Sequence, residues 1–542
     1  MDLVFRTLAD LNPFLRRCLR LSPRLAYAGA IAVFIWVAAR CYIPGQGFTY
    51  LLEMGDRQNE RYLPELRAMN HFELPDSYGY DAQFYAEIAM RPHLTDPALA
   101  TAVDDLPYRA RRILFSWTAW ALGRGDPVQA LKMYAVQSLV SWVALSALLL
   151  RWFPAASWGN FFRWGCVLFS FGMAHCLRAS LVDGPSLLLL AAGMALVESR
   201  RPWLGAAILG VSGLGKETNV LAATVFAPTG NSGRAWARSA GRIALVALPI
   251  ALWLWALERM LGTTSPGQGN FASPFSAYFA KWADSLGALR HEKPFLTAPQ
   301  NIATLVALSV QACFFAFRRR WKEAWWRIGA TYAVLMAILG AAVWAGYPPA
   351  AARVLLPMTL AFNILVPKGG SWWLVLLFGN LNVLATPDVL RLPSPQSYRV
   401  VGPGDLRMVA ATGQVVEPVF DERWYPPEHS SFEFWRWSDG PSTLSLRNPQ
   451  RFALMVDIRF SLRANDVRSI SITQDGRVLW QGLLHNHVRA PVELRGIRLE
   501  PGDTVWEFAT PRPGGPGHGV VRGPPLFNVR NMEIDVLSRA DP

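Results

Sequence analysis

Charged residues are scarce in this chain, making up 17% of its 542 residues, against about 25% in a typical soluble protein. Hydrophobic residues make up 52%, and there are 23 tryptophans. A soluble enzyme of this length would comprise about three or four domains, each with a polar surface. The composition excludes that class and predicts a protein with much of its surface in lipid.

Cysteine is also sparse. The five cysteines form no CxxC pair, and none follows residue 313: Cys18, Cys41, Cys166, Cys176 and Cys313. This pattern predicts neither a zinc site nor a disulfide framework. His485 and His487 have no third ligand at metal-binding spacing, so no metal site is predicted there.

The net charge is +14, from 53 basic and 39 acidic residues. The basic residues fall mostly in short gaps between apolar runs, as the positive-inside rule describes for membrane proteins. Nucleic-acid binding is therefore disfavoured, and the lipid bilayer is the expected partner of this charge.

The N-terminal segment 1–24 contains five arginines and precedes an apolar run at 25–43. That run is longer than the apolar region of a signal peptide, and no small-residue cleavage site follows it. We therefore expect a retained first transmembrane helix with a cytoplasmic N-terminus, in the cytoplasmic (inner) membrane.

Ten further apolar runs follow: 129–150, 160–175, 182–197, 203–214, 219–228, 241–257, 301–317, 328–345, 353–366 and 371–387. A span needs about 20 residues, so the short runs within 203–228 are expected to form a re-entrant or tilted hairpin. If that hairpin enters and leaves the membrane, three basic groups lie on the same side of the membrane as the N-terminus: 200–201, 234–242 and 318–327. The predicted fold is a polytopic α-helical membrane protein of about eleven passages.

This topology divides the chain into a transmembrane domain at 25–389 and an extracytoplasmic C-terminal domain at 390–542. Two outer loops are expected within the first, at 44–127 and 259–299.

The tail has the pattern of a β-sandwich of about 130 residues. In RFALMVDIRFSL (451 to 462), the side chains from Phe452 to Leu462 alternate between apolar and polar, as in a half-buried strand. Asp475-Gly476 separates two β-rich runs and predicts a hairpin. Further strands are expected at 491–499, 503–509 and 526–536. The aromatic stretch 424–440 has two open interpretations, a packed core or a sugar-binding surface.

The first loop carries the densest set of functional side chains. GYDAQFYAEIAMRP (79 to 92) places Asp81 among aromatic and amide side chains. LPYRARRILFSWTAWALG (106 to 123) is basic at its start and aromatic along one side, and we expect it to be an interfacial helix. Its arginines, Arg109, Arg111 and Arg112, either bind a lipid phosphate or anchor the helix to headgroups, and anchoring is favoured.

The G-x-D-x-Q-F-Y setting of Asp81, followed by Y-R-x-x-R-I-L, resembles the GT-C-fold glycosyltransferases, which are relatives of protein O-mannosyltransferases and aminoarabinose transferases. GLGKETN within 202–223 and YPPAAARVLLPM (347 to 358) are similar to later motifs of this family. The resemblance implies a polyprenyl-phosphate-linked sugar as donor and a glycan, lipid or protein acceptor. Asp81 is followed by Ala82, where many members have a second acidic residue. No cofactor is predicted, and a divalent metal stays an open alternative.

Sugar transfer from a lipid phosphate requires a base near the acceptor hydroxyl and cations near the leaving phosphate. We assign Asp81 as the general base. The expected phosphate-binding residues are Arg353, Lys216 and Arg112. The expected substrate-binding residues are Tyr80, Gln83, Tyr85, Asp183 and Glu217.

Each of these assignments has a structural alternative. Asp81 or Asp183 would serve as a helix cap, Arg353 and Lys216 would extend to the water interface, and Glu217 would pair with Lys216. Two other functions also stay open: a transporter or flippase-like protein with a carbohydrate-binding tail, and a non-catalytic assembly protein of the same fold. The sequence has no internal repeat and no paired broken helices, which favours the enzyme over a transporter.

Overall fold

The computed structural model describes residues 13–43, 46–74, 77–228, 230, 232–262, 269–290, 297–345, 350–390, 416–429, 434–448, 453–486, 488–511 and 524–539. The chain divides into two compact units. The first consists of 1–39, 61–65 and 80–391, and the second of 40–60, 66–79 and 392–542. The expected single outer loop at 44–127 is thus shared between the units, while the expected start of the tail at 390 lies within two residues of a unit boundary.

The helices, in chain order, are α1 (Pro13–Arg40), α2 (Pro64–Ala68), α3 (Asp81–Met90), α4 (Pro97–Ala102), α5 (Leu106–Arg109), α6 (Leu114–Leu122), α7 (Pro127–Leu149), α8 (Trp158–Leu168), α9 (Phe171–Arg178), α10 (Asp183–Glu198), α11 (Pro202–Gly215), α12 (Gly233–Leu261), α13 (Ser276–Arg290), α14 (Thr297–Phe317), α15 (Ala324–Ile338), α16 (Ala341–Trp344), α17 (Ala351–Val354), α18 (Leu356–Leu365), α19 (Trp372–Phe378) and α20 (Thr386–Val389). Shorter 3₁₀ segments lie at Thr49–Leu52, Asp56–Arg61, Ala110–Arg112, Glu217–Phe226 and Leu381–Ala385.

Within the described residues, four helical stretches are long and apolar enough to cross a membrane: Pro23–Arg40, Pro127–Leu149, Gly233–Leu261 and Ala298–Phe317. Large apolar side chains on these helices are exposed, including Trp36, Val140 and Trp255. These stretches indicate a membrane protein.

The expectation of about eleven passages is therefore not met: four helices in the described part of the chain are long and apolar enough to span, not eleven. The run at 160–175 is divided between α8 and α9, because Ser170 caps the second helix by accepting a hydrogen bond from the Met173 backbone N–H at 3.4 Å. The run at 353–366 is divided between α17 and α18, and Pro357 lies in the first turn of α18. Pro lacks the N–H that would continue the preceding helix.

The run at 203–228, expected to form a hairpin, consists of α11 and the 3₁₀ segment Glu217–Phe226, with extended backbone at Lys216 between them. Its first arm packs closely on α10, because a Cβ at Gly193 would lie 2.7 Å from the Leu209 side chain and one at Gly205 would lie 2.8 Å from the Gly193 carbonyl oxygen. This approach brings Lys216, at the C-terminal end of α11, to the first turn of α10.

The described residues of the tail form a β-sandwich of ten strands: β1 (Glu417–Phe420), β2 (Glu428–His429), β3 (Phe434–Ser438), β4 (Ser442–Asn448), β5 (Leu454–Ala464), β6 (Arg468–Gln474), β7 (Arg477–Leu484), β8 (Arg489–Leu499), β9 (Gly502–Ala509) and β10 (Phe527–Arg539). One antiparallel sheet has the order β1-β4-β9-β6-β7 and the other β2-β3-β10-β5-β8. Both sheets contribute to a single hydrophobic core, for example Trp506 from the first and Ile458 from the second.

The strand predictions are confirmed. β5 alternates buried and less buried side chains along its length, with Leu454 and Leu462 both in the core, while Phe452 lies outside the described residues. The hairpin turn is at Asp475-Gly476, and both residues have positive φ (49° and 77°), as a type I′ turn requires.

Four strands, β1 to β4, have no counterpart in the sequence prediction. β1, β2 and β3 have only four, two and five residues, too few for a clear alternation, whereas β4 alternates buried and less buried side chains over seven residues. Trp424, from the aromatic stretch, is buried in the core and donates a hydrogen bond to the Thr443 carbonyl oxygen at 2.8 Å. At this residue the core interpretation is correct.

Candidate functional site

Asp81 is the first residue of α3, and its carboxylate lies between two arginines. Oδ1 is 2.9 Å from Arg109 Nη1, and Oδ2 is 3.7 Å from Arg353 Nη2. Tyr80 occupies the N-cap position with extended backbone, so Asp81 is not the cap of this helix. The Asp81 side chain is 27% exposed, more than the side chains of Arg109 and Arg353 that pair with it.

Arg109 is held by a second carboxylate. Its Nε and Nη2 donate to Asp104 at 2.9 and 2.7 Å, and its guanidinium lies 5.0 Å from the centre of the Phe84 ring. The expected role of this arginine as a headgroup anchor is wrong, because its side chain is buried in ion pairs. The 3₁₀ turn after it is fixed by Trp253, whose Nε1 donates to the Ala110 carbonyl oxygen at 2.8 Å.

Asp183 is a deeply buried carboxylate shared by two cations. Lys216 Nζ is 2.9 Å from Oδ1, and Arg353 Nη1 is 3.2 Å from Oδ2. The three side chains are between 3% and 9% exposed, so neither cation extends to an exposed interface. Like Asp81, Asp183 is the first residue of its helix and not the cap. Arg353 also donates to the Tyr80 hydroxyl at 3.2 Å.

Arg112 forms a bidentate pair with Glu217, through Nε at 2.8 Å and Nη2 at 2.7 Å. It also donates to the hydroxyls of Tyr85 at 2.8 Å and Tyr108 at 3.0 Å. The expected pair between Glu217 and Lys216 is wrong. Lys216 has extended backbone between two helical segments, and its side chain pairs with Asp183 instead.

These side chains come from five distant parts of the chain and form what we call the charged cluster, whose members are Asp81, Asp104, Arg109, Arg112, Asp183, Lys216, Glu217 and Arg353. Tyr80 and Tyr85 border it, as the sequence predicts. Gln83 does not join it, because its side chain is buried and accepts a hydrogen bond from the Tyr62 hydroxyl at 3.0 Å.

Burial would raise the pKa of Asp81, but the positive charges of Arg109 and Arg353 outweigh that effect and hold the pKa below its usual value. Asp81 is therefore an ionised carboxylate at neutral pH. It is a weaker base than an isolated aspartate, and proton transfer to it needs a rearrangement of its ion pairs.

One member of the cluster, Asp104, and three of its neighbours were not assigned a site role from the sequence. Tyr108 lies between Arg112 and Asn270, whose Nδ2 donates to the Tyr108 hydroxyl at 3.2 Å. His175 packs on Tyr80 with ring centres 5.3 Å apart. Asp104 lies just before the basic motif at 106–123, which contains Tyr108. This closeness in sequence is the one local signal for a site role of Asp104 or Tyr108. Within the described ranges, no group of three or more His, Cys, Asp or Glu side chains is arranged to hold a metal ion.

No family model matches the chain, and no curated protein matches it in sequence. Among solved structures, the chain is similar to arabinosyltransferase EmbB from Mycobacterium smegmatis, determined by single-particle cryo-EM, with 13% sequence identity and a TM-score of 0.24. The match covers 98% of this chain and 66% of EmbB, so the chain spans less than two thirds of that protein. At this TM-score the likeness gives no basis for assigning a function, and the charged cluster is the basis for one.

Proposed function

We propose that this protein is a membrane glycosyltransferase that moves a sugar from a polyprenyl-phosphate-linked donor to an extracytoplasmic glycan, lipid or protein acceptor. The observation that carries the proposal is the charged cluster itself. It places one partly accessible carboxylate, Asp81, beside buried cations in a unit whose long helices are apolar.

In the proposed reaction, the acceptor hydroxyl gives its proton to the Asp81 carboxylate as its oxygen attacks the anomeric carbon of the sugar. The bond between the anomeric carbon and the phosphate oxygen breaks, and its electron pair leaves with the phosphate. Asp81 suits this role because its side chain is 27% exposed, against 3% for Asp183 and 8% for Arg353. General-base assistance of this kind contributes about 10²- to 10⁴-fold in rate.

The proposed phosphate-binding residues are Arg353, Lys216 and Arg112. Arg353 makes ion pairs through Nη1 and Nη2, while its Nε is buried and has no hydrogen-bond partner among the described residues. Lys216 makes an ion pair with Asp183, and its ammonium group can donate up to three hydrogen bonds. A phosphate oxygen would satisfy the remaining donors, and the excess negative charge of the leaving phosphate would be stabilised in a buried site.

The cluster also supports the topology of about eleven passages. Asp81, Asp183 and Arg353 must lie on one side of the membrane if they form ion pairs with one another. Since α7 lies between Asp81 and Asp183, a chain that crosses at α7 must cross back before Asp183. Helices α8 and α9, of 11 and 8 residues, together span roughly 30 Å at 1.5 Å per residue, which suffices for one broken passage.

We extend the same reasoning to the shorter apolar segments, which would supply the remaining six passages: Asp183–Glu198, Pro202–Gly215, Glu217–Phe226, Ala324–Ile338, Leu356–Leu365 and Trp372–Ala385. In this proposal the N-terminus is cytoplasmic, and the charged cluster and the β-sandwich are extracytoplasmic, at the inner membrane of the cell.

The test is transfer by the purified protein in lipid nanodiscs. A panel of radiolabelled polyprenyl-phosphate sugars would be combined with extracted envelope glycans, lipids and proteins as acceptors. We expect covalent transfer of label from one donor class with wild type, and a large loss with Asp81→Asn. Movement of intact donor across proteoliposomes without covalent transfer would instead identify a transporter.

A further inference from the structure

A short segment before α3 is fastened to that helix along its length. Residues 62–65, which we call the brace, belong to the same compact unit as α3. The brace makes three contacts with α3 and the residue after it: Tyr62 hydroxyl to Gln83 Oε1 at 3.0 Å, Leu63 backbone N–H to Glu87 Oε1 at 3.1 Å, and Glu65 with Arg91. These contacts reach from the first turn of α3, which bears Asp81, past its C-terminal end.

Glu87 is the unusual member of this set, because its side chain is fully buried (0% exposed). Oε1 accepts the Leu63 hydrogen bond, while Oε2 is buried without a hydrogen-bond partner in the described part of the chain. A buried carboxylate without a cation is strongly disfavoured. Burial therefore raises the pKa of Glu87 to about 8, against a partial lowering by the Leu63 N–H.

The elements packed against α3 offer Glu87 no countercharge. Helices α4 and α6 contain no charged residue. The titratable residues of α7 are Lys132 and Tyr134, and those of the brace are Tyr62 and Glu65. Among the described residues, none of these four hydrogen-bonds to Glu87. On α3 itself, the Asp81 carboxylate forms ion pairs with Arg109 and Arg353. Arg91, the residue after α3, forms ion pairs with Glu65 and Asp96.

We propose that Glu87 is a positioning residue, which in its neutral, protonated form locks the brace onto α3 and thereby holds Asp81 at the charged cluster. Helix α3 has ten residues, and an isolated helix of that length is marginal in water. Its position thus depends on tertiary contacts such as the brace. Ionisation of Glu87 would place an unpaired charge in the contact and loosen α3. The catalytic consequence rests on the proposed function, whereas the protonation state and its effect on stability do not.

The sign of the pH dependence follows from linkage. The pKa of Glu87 is about 8 in the folded protein and near 4.5 in an unfolded chain. The folded state therefore binds more protons between these values, and stability is greatest below about pH 4.5 and is lost as pH rises towards about 8. For one proton, the unfolding equilibrium constant rises by up to about tenfold per pH unit in this window.

The first experiment measures protonation and stability without any substrate. Infrared difference spectra of the full-length protein in nanodiscs, between about pH 6 and pH 9.5, should show loss of a protonated carboxyl C=O band. That band should be missing in Glu87→Gln, which keeps the hydrogen-bond acceptor but cannot ionise, and kept in Glu60→Gln, an exposed neighbour. Thermal unfolding should become less pH-dependent in Glu87→Gln alone. Tyr62→Phe should lower the unfolding temperature by a similar amount at every pH.

The second experiment measures transfer. Glu87→Gln should retain at least about half of the wild-type rate at neutral pH and lose the decline that wild type shows above about pH 8. Glu87→Leu, which leaves the Leu63 N–H unpaired, should be slower at all pH values. An ionised Glu87 at pH 6, an unchanged pH slope of unfolding in Glu87→Gln, or a folded but inactive Glu87→Gln would each overturn the proposal. If no variant transfers sugar, the proposed function fails, and the infrared and unfolding results still decide the role of Glu87.

Discussion

At the scale of single residues, the charged cluster pairs every buried carboxylate with at least one cation. Asp183 has both Lys216 and Arg353, and Asp81 has both Arg109 and Arg353. Such pairing is required, because removing one partner of a buried pair costs about 3–5 kcal/mol. Arg353 pairs with both carboxylates. Its substitution should therefore affect both the proposed binding of the donor phosphate and the stability of the fold.

Asp81→Asn keeps the size of the side chain and removes the base. We expect transfer to fall by about 100-fold or more, while donor binding is retained. Single-turnover rates together with equilibrium donor binding in nanodiscs separate these two quantities. A wild-type rate in Asp81→Asn would remove Asp81 from catalysis and direct attention to Asp183 and Glu217.

The wild-type pH profile gives a second test of Asp81. Its pKa is lowered from the usual 3.8, so the carboxylate stays ionised, and its contribution to stability persists, until the pH falls below that value. We therefore expect no acid limb from Asp81 in the rate profile above about pH 4. An acid limb above that pH which disappears in Asp81→Asn would contradict the direction of this shift.

Arg353→Lys preserves the charge and loses the planar fork of the guanidinium. Since a charged hydrogen bond contributes about 1.5–3 kcal/mol, we expect the donor KM to rise about tenfold or more. Arg353→Ala should nearly abolish transfer. An arginine extended to the water interface would be replaced with little loss of stability, but the Arg353 side chain is 8% exposed and carries two ion pairs, so we expect reduced stability as well.

Arg447→Ala is the matched control for these variants, because its pair with Asp503 is 49% and 45% exposed, in the β-sandwich. It should leave transfer unchanged, since ion pairs at the exposed surface contribute little to stability. Equal donor kinetics for wild type and Arg353→Ala would exclude Arg353 from the site.

At the scale of elements, Arg353 is positioned by the contact between α9 and α17. A Cβ at Gly172 in α9 would lie 2.1 Å from the carbonyl oxygen of Ala352, the neighbour of Arg353. Because backbone atoms cannot rotate away as a flexible side chain can, any side chain at this position must separate the two helices. Glycine is required here by the close approach and not by its backbone angles.

Gly172→Ala therefore should displace Arg353 without removing any polar group. We expect transfer to fall at least tenfold, about the effect of losing one charged hydrogen bond. Gly165→Ala in α8 is the control, because no atom lies within 4 Å of its Cβ position, and alanine should be neutral or stabilising by up to about 1 kcal/mol. Equal rates for both variants, at equal protein levels, would show that this contact does not position Arg353.

At the scale of the whole molecule, the membrane topology decides whether the cluster can exist. If only the four long helices crossed, Asp81 and Asp183 would face opposite sides of the membrane, although both pair with Arg353. The broken helices α8 and α9 resolve this conflict if they act as one passage. A membrane can accommodate such a break where neighbouring protein satisfies the freed backbone groups.

Reporter fusions test this topology. A fusion after residue 542 should be active outside the cytoplasm, and one near Arg320 should be active inside it, since the proposed number of passages is odd. A third fusion at Ala155, between α7 and the broken passage, should also report cytoplasmic. A cytoplasmic C-terminal fusion would contradict both the parity and the extracytoplasmic site.

The amino-acid sequence by itself determined the features that depend on near neighbours. The alternation in β5 and the turn at Asp475-Gly476 predicted strands and a hairpin that the structure contains. Residue chemistry likewise identified Asp81, Asp183 and Arg353 as unusual polar groups in apolar surroundings. Periodicity and polarity are local properties, and a window of a dozen residues is enough to detect them.

The tertiary structure alone decided which charges meet. Glu217 pairs with Arg112, 105 positions away, although Lys216 is adjacent to it in sequence, and Asp183 pairs with Arg353 across 170 positions. Side chains that are adjacent in sequence can point in different directions. The backbone at Lys216 is extended while Glu217 begins a 3₁₀ segment, so the two side chains point to different partners. Contacts across such distances depend on how helices pack and where they break, as at Ser170, and no local pattern in the sequence encodes those positions.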